Sequence, residues 1–158
     1  MAVDPDRYAD MEGTTDSEML LFLALTFGLE DDPPTAVARA VGLVEETAQR
    51  HGIRFPMQGT MATTDGATTW AFRYSTEGKS RSLFYTTDIP TLRKLYPERE
   101  LFQEVSAATR LIVSEPLGDV AGVWNEVPEG SCGVVGRGHD ELRPFQPKAP
   151  SPGVAIGA

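Results

Sequence analysis

Apolar residues fill almost every position from Met19 to Leu29, "MLLFLALTFGL", directly after the polar run Thr14-Thr15-Asp16-Ser17-Glu18. Thr15 followed three residues later by Glu18 matches the capping box, in which each side chain satisfies an orphan backbone N–H of the other. A helix therefore begins there. Its apolar positions surround the axis instead of lining one stripe, which predicts burial on most sides and a central place in the fold. Gly28 and the segment Glu30-Asp31-Asp32-Pro33 end it. Asp32 and Pro33 then supply an N-cap and a proline at the first position of a second helix, running from Pro33 to His51. In that helix Val37, Val41, Val44 and Ala48 share one face, Glu46 and Arg50 form an i,i+4 pair, and Gly52 is placed as a C-terminal stop. The one-sided pattern predicts a surface helix.

Beyond Gly52 the period changes from 3.6 to 2. "MQGTMATTDGATTWAFRYS" predicts two strands joined at Asp65-Gly66, a dipeptide that favours tight hairpins because both positions tolerate positive φ. Trp70, Phe72 and Tyr74 fall on one face of the second strand, Ala71 and Arg73 on the other, and the aromatic face is expected to be the core side. "SLFYTT" reads as a third strand. Asp88 caps a short helix from Ile89 to Tyr96, and another helical patch lies near Leu101 to Ala107. "TRLIVSEPL" and "CGVVG" read as the fourth and fifth strands. From Gly136 the chain carries Pro144, Pro147, Pro150 and Pro152 with little periodicity, which predicts an ordered region to residue 147 and a disordered tail over 148–158. Two helices followed by antiparallel strands, with helices reappearing between strands, indicate the α+β class.

Composition narrows the function. The chain has 158 residues, a length that favours one domain. Its net charge of −9, with no long basic cluster, makes nucleic acid and anionic membrane surfaces poor partners. Cys132 is the only cysteine, which excludes an internal disulfide and a cysteine-based metal cage, and fits a reducing cytoplasm. The acidic start "MAVDPDRYADME" has no apolar core of a signal peptide. The run Met19 to Leu29 is far short of the ~20 residues of a membrane span.

Candidate chemistry is sparse. A hydrolytic triad needs a histidine, and His51 at a helix end and His139 in "GRGHDE" both read as solvated residues. His51, Cys132 and His139 fall on different elements and do not form a metal set, so no metal or other cofactor is expected. "GVVGRG" lacks the following helix that a phosphate loop requires. The polar run before the first helix is more specific. Asp16 in the first turn is favoured by the helix dipole, and it either simply stabilises the helix or, beside a cleft, accepts a hydrogen bond from a ligand ammonium.

The stretch "EGTTDSEMLLFLALTFGLEDDPP" is similar to the region of class II glutamine amidotransferases, of the N-terminal-nucleophile type, in which a Ser/Thr-Asp-Ser/Thr-Glu motif opens a long apolar helix. The resemblance continues through "GLVEETAQRHGI", "TTDGATTWAFRYSTEGKSRSLFYTTD", "LYP", "RLIVSEPLGD", "WNEVPEGSCGVV" and "DELRPF", covering roughly Met1 to Pro147. It looks closest to the compact bacterial branch that includes ergothioneine-pathway amidohydrolases. The resemblance implies the C-terminal part of an αββα sandwich, mainly antiparallel sheet with flanking helices. It also implies a substrate that is glutamine or a γ-glutamyl small molecule, held at its α-amino group by Asp16 with Thr15 beside it.

The family's nucleophile is a cysteine that becomes residue one once the initiator Met is removed, and its oxyanion hole and carboxylate-binding Arg also precede the Thr-Asp-Ser-Glu motif. Here fifteen residues precede Asp16, residue two is Ala2, and Cys132 lies in a predicted strand near the other end. The resemblance thus implies a C-terminal portion with no catalytic residue of its own, inactive unless an N-terminal half joins it in trans. The alternatives are a non-catalytic remnant that binds an amino acid or a protein, as a homo-oligomer that fills its exposed sheet, and an acidic α+β ligand-sensing domain unrelated to the family. On the fragment reading, apolar faces such as that of Met19 to Leu29 are left uncovered, and the isolated chain is expected to be oligomeric or poorly soluble.

Overall fold

The computed structural model describes residues 3–118, 120 and 122–150. It is α+β, as expected, and all its strand pairings are antiparallel. Its described residues fall into two compact units, one within residues 3–57 and 145–150 and the other within Gln58–Pro144.

The first unit is built on two helices. After a short 3-10 helix, Pro5–Asp10, α1 spans Asp16–Thr26 and α2 spans Pro33–Arg50. Both helices end in the same way. Gly28 (φ 89°) follows α1 and Gly52 (φ 76°) follows α2 in the left-handed conformation that only glycine adopts without strain. The next N–H then reaches back to the last turn, Leu29 to Ala24 O and Ile53 to Ala48 O, each pair completing a Schellman cap. Asp32 caps α2 through Thr35 N at 3.3 Å, and the Glu46–Arg50 pair forms at 3.7 Å.

The expected all-round burial of α1 is only partly met. Phe22, Leu23 and Ala24 are buried, whereas Met19 and Leu21 are 37% and 46% exposed. On α2 the buried face is Ala36, Val37, Ala40, Val41 and Ala48. The chain returns along this helix after Phe145, which is itself buried. Lys148 N donates to Ala38 O at 3.0 Å, so the segment expected to be disordered from residue 148 begins with a placed residue. The backbone of Lys148 and Ala149 passes so close to Gly42 that a Cβ there would meet it at 2.3 Å. The rest of the expected tail, residues 151–158, lies outside the described residues.

The second unit is a pair of sheets. Strands β1 (Gln58–Thr64), β2 (Thr68–Ser75), β6 (Ser131–Gly136) and β7 (His139–Pro144) form a four-stranded sheet in the order β1-β2-β6-β7. Strands β3 (Phe84–Thr86), β4 (Ile112–Val113) and β5 (Trp124–Glu126) form a three-stranded sheet in the order β4-β3-β5. Ala71 and Val135 of the first sheet pack against Leu83, Tyr85 and Val127 of the second segment set, with Ile112 beside them. Two short helices, α3 (Ile89–Leu95) and α4 (Glu100–Glu104), enclose a second cluster of Ile89, Leu92, Phe102 and Val123. Asp88 caps α3 through Thr91 N at 3.0 Å, as its sequence predicts.

Three expectations need correction here. The β1–β2 hairpin does form, but Asp65 is not in a positive-φ turn; Gly66 alone takes positive φ (90°). Asp65 Oδ1 instead accepts from Ala67 N at 2.8 Å and Thr68 N at 2.7 Å, an Asx turn that holds its carboxyl below the usual range. Second, the aromatic face of β2 is not the core side alone. Phe72 is buried, yet Ala71 on the opposite face is buried as completely, because that face is the one packed on the second sheet. Third, β5 and β7 are additional strands, and the expected fourth strand shortens to two residues.

Candidate functional site

The candidate residues Thr15 and Asp16 stand at the start of α1, in the first unit. Thr15 is the N-cap, and its Oγ1 accepts from Glu18 N at 3.2 Å. The reciprocal half of the expected capping box is absent. Glu18 turns its Oε1 to Glu12 N (2.9 Å) and Gly13 N (3.1 Å) instead of Thr15 N. Gly13 permits this, because a Cβ at that position would meet Glu18 Oε2 at 2.5 Å. The carboxylate thereby staples the approach segment to the first helical turn, and that fixes where Asp16 stands.

Asp16 itself is the first residue of the helix and is exposed. Its Oδ1 accepts from Ser17 N at 2.8 Å and from Ser17 Oγ at 3.3 Å. Among the described residues nothing donates to Oδ2. One carboxylate oxygen is thus oriented by the chain and the other is open, at a helix end whose dipole favours negative charge. Such a group can take a hydrogen bond from a cation without losing the contacts that place it.

The remaining candidates are not brought together. His51 is the exposed C-cap of α2, and His139 is exposed on β7, 3.9 Å from Glu141. They lie in different units. Cys132 is buried, and burial pushes its thiol up to about 12, which leaves almost no thiolate at neutral pH. Its Sγ contacts only the carbonyl of Gly133, at 3.9 Å, among its hydrogen-bond partners. No group of three His, Cys, Asp or Glu side chains suited to a metal ion occurs among the described residues. No helix among them is long and apolar enough to cross a membrane.

Two features went unread in the sequence. One is a groove of about 660 Å³ in the first unit, with Leu23, Val44, Ala48, Ile53 and Phe55 among its walls and His51 as its one titratable group. Asp16 does not line it. The other is a partly buried polar network in the second unit. Arg73 Nη1 donates to Glu126 Oε1 and to Val127 O (2.9 Å), and its Nε donates to Ser80 Oγ (3.1 Å). Glu129 accepts from Ser75 N (2.8 Å), from Ser80 N (2.9 Å) and from the Ser80 hydroxyl. Burial pushes the Glu129 carboxyl up, but the hydrogen bonds from Ser80 and Ser75 and the charge of Arg73 outweigh it and hold the group below the usual range. With each charge answered from within, this network is a brace between strands and not a reactive centre. Its only sequence signal is an Arg on the alternate register of β2 that also carries Ala71.

No protein-family model matches the chain, and no curated protein does. Among solved structures it is similar to a glutamine aminotransferase class-II domain protein from Silicibacter pomeroyi, with 32% sequence identity and a TM-score of 0.77. The similarity covers 94% of this chain and 59% of that one, so the chain spans little more than half the length of its relative. The fold is that of part of a class-II glutamine amidotransferase domain, as the resemblance of the "TTDSE" region and its companions implies.

Proposed function

We propose that this chain is the substrate-holding portion of a class-II glutamine amidotransferase or amidohydrolase, with Asp16 receiving the α-ammonium of glutamine or of a γ-glutamyl small molecule and Thr15 fixing the helix end beside it. The observation that carries this reading is the half-engaged carboxylate of Asp16, anchored through Oδ1 and open at Oδ2. The likeness over 94% of the chain supports it.

In such a reaction a thiolate attacks the side-chain amide. The new C–S bond forms, the C–N bond breaks with a proton delivered to nitrogen, ammonia leaves, and water then hydrolyses the thioester. Asp16 contributes by fixing one end of the substrate, which sets where the amide at the other end lies. Cys132 does not supply the thiolate, since it is buried with its thiol pushed up to about 12. The nucleophile then belongs to polypeptide outside these residues, supplied as an N-terminal half. The same inertness of Cys132 favours the second reading, a non-catalytic module of this fold that binds an amino acid or a protein.

The test is a titration of the isotope-labelled chain with L-glutamine, followed by NMR, for the native sequence and Asp16→Asn. Shifts confined to the start of α1 and lost in the variant are expected. Equal affinity in both would sink the assignment of Asp16. Addition of the segment of the relative that this chain does not span, with ammonia release as the readout, separates the two readings: release marks the catalytic one, and glutamine binding without release marks the module.

A further inference from the structure

Asp65 is the only aspartate of the chain that is followed by glycine. In such a pair the next backbone nitrogen approaches the carboxyl unhindered by a side chain, and the two can cyclise. Gly66 N attacks Cγ of Asp65 in its acid form: a C–N bond forms, a C–O bond breaks, and the nitrogen's proton leaves with the hydroxyl as water. Water then opens the five-membered succinimide at either carbonyl, returning aspartate or giving isoaspartate, whose main chain runs through the former side chain. The β1–β2 turn nonetheless requires both residues. Gly66 stands at φ 90°, where a side chain brings strain, and Asp65 Oδ1 accepts from Ala67 N at 2.8 Å and Thr68 N at 2.7 Å.

We propose that Asp65-Gly66 is the chain's isomerisation site and that Thr64 guards it in the fold by withholding the Gly66 nitrogen. Gly66 N donates to Thr64 Oγ1 at 3.1 Å, and that hydroxyl donates to Thr68 O at 2.7 Å. The N–H that cyclisation must give up is therefore tied to both strands of the hairpin.

The carboxyl is restrained separately. Ring closure replaces the charged acceptor of Ala67 N and Thr68 N by a neutral imide oxygen, and so weakens both bonds. The same bonds hold the carboxyl below its usual range, which keeps scarce the acid form that loses water. Asp65 is exposed, so burial adds no protection and the bonds of the turn act alone. All the atoms involved belong to one hairpin of the second unit, whatever polypeptide joins the chain and whatever it binds. Isoaspartate would insert one carbon between Thr64 and Gly66 and disturb the closing pair Thr64↔Thr69.

Incubation of the 158-residue chain at neutral pH tests this, with isoaspartate read by an isoaspartyl methyltransferase and located by peptide mapping. The chain in guanidinium chloride should gain isoaspartate at position 65 at least about tenfold faster than the folded chain. Thr64→Val keeps the branched shape at an exposed strand position and removes the acceptor of Gly66 N. Its folded form should gain isoaspartate several-fold faster than the native sequence. Hydrogen exchange at Ala67 and Thr68 shows whether the turn has simply opened. A rise in isoaspartate larger than the rise in exchange supports the guard. A rise only in step with exchange overturns it, since Thr64 would then do no more than hold the turn shut. Equal rates in the native chain and Thr64→Val, or in the folded and unfolded chains, overturn it as well.

Discussion

Arg73 and Glu129 approach to 3.9 Å between Nε and Oε2, with Ser80 bonded to both. The Arg73 side chain is 13% exposed, and of its two carboxylate partners Glu129, at 29%, is better buried than Glu126, at 56%. Glu129→Ala leaves the N–H groups of Ser75 and Ser80 without their acceptor. Each stranded donor costs about 1–3 kcal/mol, and a fall of roughly 2–5 kcal/mol in unfolding free energy is expected from urea denaturation.

The same carboxylate sets a pH dependence. Its folded value lies below the ordinary 4.5, so its contribution is complete above that value and is lost as pH falls through the lower, folded one. The urea midpoint of the native chain should drop on acidification below about pH 4.5, and Glu129→Gln should flatten that part of the profile. An equal slope in the variant would assign the acid sensitivity to other groups.

At Gly42 the usual helix rule should reverse. Alanine in a helix interior is favoured over glycine by about 1 kcal/mol. Here the added Cβ would sit 2.3 Å from the backbone of Lys148 and Ala149, which has no side chain to swing aside. Gly42→Ala should therefore lower the melting temperature and speed proteolysis around residues 146–150. A stabilised variant would show that the returning segment gives way freely.

Thr15 and Asp16, adjacent in sequence, should separate in their effects. Thr15→Ala removes the cap on Glu18 N and should cost about 1 kcal/mol of stability. Asp16→Asn keeps an acceptor for Ser17 N, so its melting curve should stay close to native while glutamine affinity falls. Loss of a charge-assisted bond of ~1.5–3 kcal/mol corresponds to roughly a 10- to 150-fold rise in Kd. Paired thermal and binding measurements check both arms.

Cys132 should be silent to a thiol reagent at pH 8 in the folded chain and react fully in denaturant, because its thiol is buried and pushed up to about 12. Rapid reaction in native buffer would mean that β6 opens readily.

What the sequence disclosed follows the range of the interactions. The caps at Thr15, Asp32 and Asp88, and the glycines after α1 and α2, depend on residues a few positions apart, so they were legible. β7 was not, since all six of its residues are exposed and its pairing with β6 leaves no alternation of apolar and polar positions. β5, of three residues, is too short to show a period and exists through its pairing with β3, while β4 was legible in "TRLIVSEPL" but keeps only the two residues that β3 pairs. Arg73 on an alternate strand position reads as a solvent-facing charge; only the arrival of Glu126 and Glu129, far along the chain, makes it internal. The resemblance of "TTDSE" is what singles out Asp16 and Thr15 as candidates. The open oxygen of Asp16 and the staple of Glu18 to Gly13 are matters of geometry that spacing does not contain.

The order of the larger sheet also dictates a sequence in time. β1–β2 and β6–β7 are hairpins that close over short turns and can form as soon as they are made. The seam between them, from Thr68↔Gly136 to Arg73↔Ser131, waits for all the chain between Ser75 and Ser131. Closing so long a loop is entropically slow, and sheets knit by distant pairings fold more slowly than those knit by neighbours. On a ribosome, β2 emerges with one side still vacant, and the seam closes only when β6, from Ser131 on, has been synthesised.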